Sequence, residues 1–319
     1  MKFGCVPLPE AQGATLAHTV QALGLRLKKG TVLGADDIDA LREAGIGKVT
    51  VARLEDGDVG EDEAARRLAA ALVPDAAAAG LTVEAPFTGR VNVTAAQAGV
   101  FRADATMIHA LNRVDPGITL ATLPDYTRVA EGMMLATVKI IPYAVPGAAL
   151  DRALAALGPG AMSVAAPVLS SADLILTRTP GFAPKLLDKG ERVIRERLAA
   201  LGLRLRHCET VGHDTASVAE ALGRCQSQLV LIMGASATSD AQDVCPAGLA
   251  AAGGRLTRFG MPVDPGNLLF LGKLGGRPVV GLPGCARSPA INGADWVLER
   301  LVCGLDVGDE EISGMGVGG

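Results

Sequence analysis

The sequence has few aromatic residues and no excess of positive charge. Phe, Trp and Tyr make up 3% of the 319 residues, and 30 Lys and Arg face 34 Asp and Glu, for a formal net charge of −4. Nucleic-acid-binding surfaces are commonly basic, and those that hold single strands stack bases on aromatic side chains. The composition therefore argues against a protein that binds nucleic acid.

The cysteines lack the spacing of a zinc site. No Cys-x-x-Cys pair and no Cys/His cluster is present. Scattered cysteines of this kind are interpreted as reduced thiols. They are Cys5, Cys208, Cys225, Cys245, Cys285 and Cys303.

No uninterrupted hydrophobic run suits a membrane span or a secretion signal. The longest charge-free stretch, 153–172, contains Gly158, Pro159, Gly160 and Pro167, whereas a membrane-spanning helix needs about 20 mostly apolar residues. Near the N-terminus, two prolines and an acid break the apolar segment that a signal peptide requires. The sequence therefore predicts a cytoplasmic protein.

The hydrophobic content, 49%, is high enough to fill several cores, and the length favours two or three domains. Residues 1–81 are predicted to form a small α/β region with helices over Ala35–Ala44 and Glu61–Leu72. Turn residues punctuate residues 82–165, which predicts a β-rich domain with one helix near Ala103–Leu111.

Strand and helix patterns alternate over residues 166–304, which predicts βαβ units and a mostly parallel sheet. Ligands of such sheets bind at the carboxyl ends of the strands. Residues 305–319 end in Gly314-Met-Gly-Val-Gly-Gly319 and are predicted to be a flexible tail. The predicted strands cover 172–177, 203–208, 228–233, 255–259, 268–272 and 278–282, and the predicted helices cover 188–201, 215–222 and 288–302.

Two loops at predicted strand ends carry the strongest chemical signal. The first, residues 233–246, follows an apolar strand, and its small residues leave backbone N–H groups open to an anion while hydroxyls add donors. This composition predicts a phosphate site. Its candidate residues are Gly234, Ala235, Ser236, Thr238 and Ser239.

Two carboxylates stand in the same loop. A carboxylate repels a bound phosphate unless a divalent cation or a proton intervenes, so Asp240 and Asp243 are candidate catalytic residues and Asp243 is a candidate Mg²⁺ ligand. Capping of the following helix by the same side chains is an equally good explanation.

The second loop, Gly281–Ser288, precedes the last predicted helix, whose N-terminus directs positive dipole density at the crevice. Pro283 and Gly284 predict a tight turn there. Arg178 and Lys185 follow the first strand of the α/β region, where a phosphate contact and simple surface charge explain them equally well.

Three remaining side chains receive structural interpretations. His207 and His213 have no Cys or carboxylate at metal-ligand spacing, which favours packing or solvent roles. Cys285 has no base nearby in the sequence and is interpreted as a passive small residue.

In this order, the motifs resemble the molybdopterin-binding fold family, which includes molybdopterin molybdenumtransferases and molybdopterin adenylyltransferases. The resemblance spans about residues 167–302. The matching segments are Met233-Gly-Ala-Ser236 with Asp243-Val-Cys-Pro246, Val263-Asp-Pro-Gly-Asn267, Gly281-Leu-Pro-Gly-Cys-Ala286 and Lys185-Leu-Leu-Asp188. The resemblance implies a three-layer αβα domain over residues 166–304.

The resemblance also implies binding of molybdopterin or the molybdenum cofactor, in its biosynthesis or handover. Loop 234–239 would hold the phosphate. The other implied ligand contacts are Pro283, Gly284, Ser288, Lys185 and Asp188.

Departures from the family pattern favour a carrier over an enzyme. Where molybdenumtransferases carry lysines near the Pro-Gly element, this chain has Asp264 and Asn267, and the Asn-Pro of the last loop is Cys285-Ala286. An adenylyl- or molybdenum-transferring enzyme using Mg²⁺ and Asp243 is the first alternative, and a nucleotide pyrophosphatase-like enzyme is the second.

The family includes a further arrangement, the molybdenum cofactor cytidylyltransferase type, in which a chain like this one precedes a nucleotidyltransferase domain. The implied partners are therefore the pterin ligand and either molybdenum cofactor enzymes or such a domain. Ala-rich surfaces on the helices expected over Glu61–Leu72 and Leu150–Leu157 also allow a homo-oligomer.

Overall fold

The structure is a computed structural model that describes residues 1–158 and 160–318. The chain divides into two compact units, Met1–Val164 (unit 1) and Ala165–Gly319 (unit 2). Pro159, predicted to interrupt the charge-free stretch, and Gly319, the end of the predicted tail, lie outside the described residues. Over those residues, no helix combines the length and the apolar character that a membrane crossing needs.

Unit 1 is built from short strands and helices. Its helices are α1 (Ala35–Glu43), α2 (Glu61–Leu72), α3 (Ala76–Ala79), α4 (Ala105–Asn112) and α5 (Gly147–Ala156). Its strands are β1 (Lys2–Pro7), β2 (Thr15–Leu16), β3 (Val20–Ala22), β4 (Leu25–Leu27), β5 (Lys48–Arg53), β6 (Asp58–Gly60), β7 (Leu81–Val83), β8 (Arg90–Ala95), β9 (Gly99–Ala103), β10 (Ile118–Thr122), β11 (Arg128–Val129), β12 (Met134–Ile140), β13 (Ala144–Pro146) and β14 (Met162–Ala165).

Two hydrophobic cores lie in unit 1. The first lies between residues 8 and 51, where α1 covers the antiparallel sheet β1-β5-β2. The second lies between residues 64 and 164 and contains the sheets β10-β12-β8-β7 and β11-β9-β14. Helix α2 buries Leu68 and Leu72 in this second core, although the sequence places it with residues 1–81. Helix α5, which overlaps the helix expected over Leu150–Leu157, also packs there.

Unit 2 contains one large sheet flanked by helices. Its strands are β15 (Ser171–Arg178), β16 (Arg204–Gly212), β17 (Leu229–Met233), β18 (Arg255–Phe259), β19 (Phe270–Leu274) and β20 (Arg277–Leu282). Its helices are α6 (Pro184–Ala199), α7 (Thr215–Arg224), α8 (Val244–Ala251), α9 (Gly293–Val302) and α10 (Asp309–Ser313).

The sheet of unit 2 has the order β16-β15-β17-β20-β19-β18. The first four strands are parallel, β19 runs antiparallel to β20, and β18 runs antiparallel to β19 and so in the direction of the first four. Alternate residues of the central strands face opposite cores: Leu231 packs in the core with α6 and α9, and Ile232 in the core with α7 and α8. The chain thus has the predicted α/β fold with a mostly parallel sheet.

The end of the described chain packs on unit 2, where the sequence predicts a flexible tail from residue 305. Helix α10 and the turn Gly314–Gly316 follow α9. Val307, Ile312 and Met315 are buried in the core that contains α9. Burial of these three apolar side chains outweighs the conformational freedom of the surrounding glycines.

Gly281 is fixed by packing rather than by backbone conformation. It pairs with Phe270 across β19 and β20. A Cβ atom added to Gly281 would overlap the ring of Phe270. The ring of Phe270 therefore occupies the space that a side chain at position 281 would need.

Candidate functional site

The parallel strands of unit 2 end at one edge of the sheet, as the topology requires. A cavity of about 520 Å³ lies there, between the loops that follow β15 and β16. It is lined by Arg178, Thr179, Pro180, Gly181, Phe182, Gly212, His213 and Asp214.

Loop 234–243 begins with a turn that only glycine fits. A Cβ on Gly234 would lie 2.9 Å from the carbonyl oxygen of Ser236 and 3.3 Å from Sγ of Cys245. The N–H of Ala235 donates to Oγ1 of Thr177 at 2.7 Å. No hydrogen bond among the described residues uses the N–H groups of residues 236–238. The loop thus presents unused donors, as an anion site requires.

Asp243 caps helix α8. Its Oδ1 accepts from the N–H of Val244 at 2.7 Å and its Oδ2 from the N–H of Ser239 at 3.1 Å. Asp240 makes a local turn, accepting from the N–H of Gln242 at 2.7 Å. Asp243 therefore has the capping role that was the alternative to catalysis, whereas Asp240 closes the turn before it. The catalytic roles of both stay predictions.

No group of three His, Cys, Asp or Glu side chains in the described part of the chain is arranged to hold a metal ion. Mg²⁺ commonly uses one or two protein carboxylates, with waters and ligand phosphates completing its shell. The assignment of Asp243 as a Mg²⁺ ligand stays a prediction.

The loop after β20 differs from the prediction at its end. It forms a short 3₁₀ turn over Gly284–Arg287, and α9 begins at Gly293 with Asn292 as its N-cap, not at Ser288. Ser288 is extended because the residue before a proline, here Pro289, is disfavoured in a helix. The helix N-terminus predicted at Ser288 is therefore displaced along the chain.

Arg197 of α6 forms hydrogen bonds that fix the loop after β20. Its guanidinium pairs with Asp295 at 2.5 Å, both side chains being buried, and donates to the carbonyl oxygens of Ala286, Ser288 and Ala290 at 3.0 to 3.2 Å. One arginine side chain thus donates to three backbone carbonyl oxygens and one carboxylate.

Arg287 joins the loops that follow three strands. Its Nη2 donates to the carbonyl oxygen of Gly234 at 2.7 Å, and its guanidinium lies 5.9 Å from the centroid of the Phe182 ring. Burial lowers the pKa of Arg287 from its ordinary value. The sequence placed Arg287 in the second loop but gave no signal for these contacts.

Thr177 and His213 form a second link that sequence reasoning missed. Thr177 is fully buried, and its Oγ1 lies 2.8 Å from Nδ1 of His213. The N–H of His213 donates to the carbonyl oxygen of Arg178 at 3.0 Å. Asp214 caps α7, and hydrogen bonds from the N–H and hydroxyl of Ser217 hold the pKa of Asp214 below its ordinary value.

The other candidate residues are distributed around this edge. Lys185 and Asp188 lie exposed in the first turns of α6 and do not line the cavity. Among the loop residues, Thr238 and Pro283 are buried, and Ser236, Ser239 and Gly284 are exposed. Their contacts with a ligand stay predictions.

Comparison with known proteins gives two kinds of match. A family model described as a domain of unknown function (DUF8806) matches residues 5–53, which include the first core of unit 1. No curated protein matches the sequence.

Solved structures provide the remaining similarities. A CinA protein of unknown function from Thermoplasma acidophilum is 15% identical, over 37% of this chain and 90% of that one, with a TM-score of 0.30. A MoeA molybdopterin biosynthesis protein from Pyrococcus horikosii is 13% identical, over 89% and 70%, with a TM-score of 0.29. A molybdenum cofactor biosynthesis protein from Pyrococcus furiosus is 13% identical, over 96% and 66%, with a TM-score of 0.24. At these TM-scores the likeness supports no functional conclusion.

Proposed function

We propose that unit 2 binds a phosphate-bearing pterin of the molybdopterin type and acts as a carrier in molybdenum cofactor biosynthesis or handover. The proposal rests on loop 234–239, whose first two residues are held by hydrogen bonds to neighbouring side chains. Thr177 and Arg287 fix its first two residues, while the N–H groups of residues 236–238 have no partner in the described chain. Such an arrangement suits a phosphate.

The neighbouring cavity fits the rest of a small anionic ligand. Its volume, about 520 Å³, lies within the range of small-molecule sites, roughly 300–1,000 Å³. Arg178 supplies a positive charge and Phe182 an aromatic face at its wall. The choice of a pterin over other phosphate esters rests on the motif resemblance, above all Gly281-Leu-Pro-Gly284 and Asp243-Val-Cys-Pro246.

The roles of the candidate catalytic residues favour a carrier. Asp240 and Asp243 use their carboxylates to hold backbone N–H groups. Burial raises the pKa of the Cys285 thiol, which favours the protonated, unreactive form. These residues would shape and close the binding loop, and the chain would release the ligand unchanged.

Binding and turnover are tested together by anaerobic titration of the full chain with molybdopterin, followed by product analysis with Mg²⁺, ATP and molybdate. Binding without product supports the carrier. An adenylylated or molybdenum-loaded product contradicts it in favour of the transferase, and hydrolysis of nucleotide without pterin favours the pyrophosphatase. Absence of pterin binding overturns the proposal.

Arg178→Gln provides a matched test of the site. Loss of a charged hydrogen bond is expected to weaken molybdopterin binding by about 10-fold or more. Arg204→Gln is the control. Arg204 is the first residue of β16, so it carries the same charge at the end of the strand opposite to the cavity. Equal weakening by both variants would show a general charge effect and contradict the assigned site.

A further inference from the structure

The hydrogen-bond partners of the Thr177 hydroxyl determine which group receives its proton. A hydroxyl donates one hydrogen bond and accepts up to two. Ala235 N–H already donates to Oγ1 of Thr177, and the remaining partner in the described chain is Nδ1 of His213 at 2.8 Å. Because Thr177 is fully buried, an undonated proton would be costly. The arrangement therefore favours donation from Thr177 to an unprotonated Nδ1.

This assignment fixes the neutral tautomer of His213. With Nδ1 as acceptor, the ring proton resides on Nε2. His213 lines the cavity, so Nε2–H is the polar group that the ring has left to offer a ligand. The opposite tautomer would give Oγ1 of Thr177 two donors and leave its own proton without an acceptor.

The cavity wall beside His213 carries one positive and one negative side chain, Arg178 and Asp214. The guanidinium of Arg178 is exposed and has no hydrogen-bond or ion-pair partner among the described residues. The carboxylate of Asp214 is occupied by the N–H and hydroxyl of Ser217 at the start of α7. Asp214 keeps its negative charge but is directed to α7, so the side-chain donors that a ligand can meet are Arg178, His213 and the hydroxyl of Thr179.

We propose that this cavity contains an oxyanion subsite in which His213 donates through Nε2–H beside Arg178, and that Thr177 is the positioning residue that sets the imidazole. The same Thr177 hydroxyl receives Ala235 N–H, so it joins the subsite to loop 234–239. The assignment of the occupant as an oxygen-bearing anion such as a phosphate group rests on the proposed function. The orientation of the imidazole does not.

The tautomer is measured on the ligand-free, ¹⁵N-labelled full chain by two-bond ¹H–¹⁵N correlation spectroscopy at about pH 8, where an ordinary histidine is neutral. The chain has four histidines, and a spectrum of His213→Gln assigns the signals. We expect the Nε2–H form in the wild type and in Thr177→Ser, and a mixture of tautomers in Thr177→Val. An Nδ1–H form in the wild type, or an unchanged spectrum in Thr177→Val, would overturn the positioning role.

The subsite is measured separately with inorganic phosphate, followed through the ring signals of His213 where that residue is present and through backbone amide signals in every variant. The amide nitrogen of Gln can mimic Nε2 and that of Asn can mimic Nδ1. We expect His213→Gln to retain phosphate affinity within about 3-fold and His213→Asn and Thr177→Val to lose about 10-fold, the scale of one hydrogen bond to a charged group. Thr177→Ser should restore binding.

The two proposals fail in different ways. Phosphate binding that depends on His213, without molybdopterin binding, supports the subsite and overturns the proposed function. Molybdopterin binding without any phosphate effect on His213 overturns the subsite and leaves the carrier proposal standing. Amide spectra and thermal melts of every variant identify any loss of folding, and Thr177→Ser provides the folded comparison.

Discussion

Asp243 caps a helix in the structure and is a candidate Mg²⁺ ligand from the sequence, and substitutions distinguish these two roles. Its carboxylate caps α8 through Val244 and closes the loop through Ser239. Asn has one acceptor oxygen, so it can keep one of these hydrogen bonds and is a good N-cap, whereas Ala accepts none. We expect Asp243→Ala to lower the free energy of unfolding by about 1 kcal/mol and Asp243→Asn to lower it by less.

Urea unfolding of both variants measures these values, and molybdopterin titration with and without Mg²⁺ completes the comparison. For a capping residue, Asp243→Asn should bind as the wild type does in both conditions. Loss of a Mg²⁺-dependent gain in affinity, in a variant of normal stability, would instead establish the metal-ligand role.

Asp173 makes the stability of unit 2 depend on pH. It is buried, and although burial raises its pKa, hydrogen bonds from the Ser227 hydroxyl and from the N–H groups of Ser227 and Gln226 outweigh that effect and hold the pKa below its ordinary value. Its stabilisation is therefore complete above the unfolded-state pKa, about 3.9, and is lost as the pH falls below it.

We expect Asp173→Asn to lower the free energy of unfolding by about 1–3 kcal/mol at neutral pH, with the difference from the wild type shrinking as the pH falls from about 4 to about 2. Urea titrations across this range measure it. Asp306→Asn, at an exposed site without a partner among the described residues, is the control. A constant difference at every pH would contradict the linkage.

At the residue scale, the sequence indicated features that are local and missed contacts that are assembled by the fold. Gly234 and Ser236 became candidates because a loop of small residues after an apolar strand is visible in the sequence. Thr177 and His213 are 36 residues apart, and their contact exists only because β15 and β16 are neighbours. Arg287 reaches Gly234 for the same reason.

Among the elements, α6 supports the loop after β20 through Arg197. Arg197→Met leaves Asp295 buried without its partner and frees the carbonyls of residues 286–290. Breaking a buried pair from one side costs about 3–5 kcal/mol. We expect that loss of unfolding free energy, together with weaker molybdopterin binding, because the loop loses its support.

The matched control lies on the same helix. Arg195 pairs with Glu191 on the surface of α6, where exposed ion pairs contribute about 0–1 kcal/mol. Arg195→Met should therefore unfold nearly as the wild type does. Equal destabilisation by both variants in urea unfolding would indicate a general effect on α6 rather than the support of the loop.

The elements show where local patterns determine structure. Helix α2 was predicted with its observed bounds because its apolar residues recur at helical spacing. Helix α8 was expected only as a helix without bounds that Asp240 and Asp243 could cap, because Pro246 and Gly248 discourage a helix. Pro246 lies in the first turn, where its missing N–H costs little. The start of α9 was wrong because Pro289 interrupts a segment that otherwise reads as helical.

For the whole molecule, the separate cores of units 1 and 2 predict separate responses to core mutations. Leu231 is fully buried in unit 2 and Phe101 in unit 1. Leu231→Ala should cost about 2–5 kcal/mol and Phe101→Ala about 3–5 kcal/mol. We expect hydrogen exchange to rise mainly in the unit that carries each substitution. Spread of the effect of either variant over the whole chain would contradict this expectation.

The sequence predicted the architecture of unit 2 better than that of unit 1. Regular alternation of strands and helices specifies a parallel sheet through general rules of chain connection. In unit 1, α2 could not be assigned to its core from the sequence, since an amphipathic face indicates burial without naming the partner. The tail was misjudged because composition emphasised Gly314 and Gly318 over Ile312 and Met315.

The packing of Gly281 against Phe270 also predicts a pattern of substitution. Within this fold, positions 270 and 281 should covary: an aromatic residue at 270 demands glycine at 281, whereas a small aliphatic residue at 270 permits alanine or serine there. The first glycine of the Gly-Leu-Pro-Gly segment would then mark a packing constraint between adjacent strands. A sequence motif that treats this glycine as a ligand contact would therefore select chains with an aromatic residue at position 270, whether or not they contain the binding site.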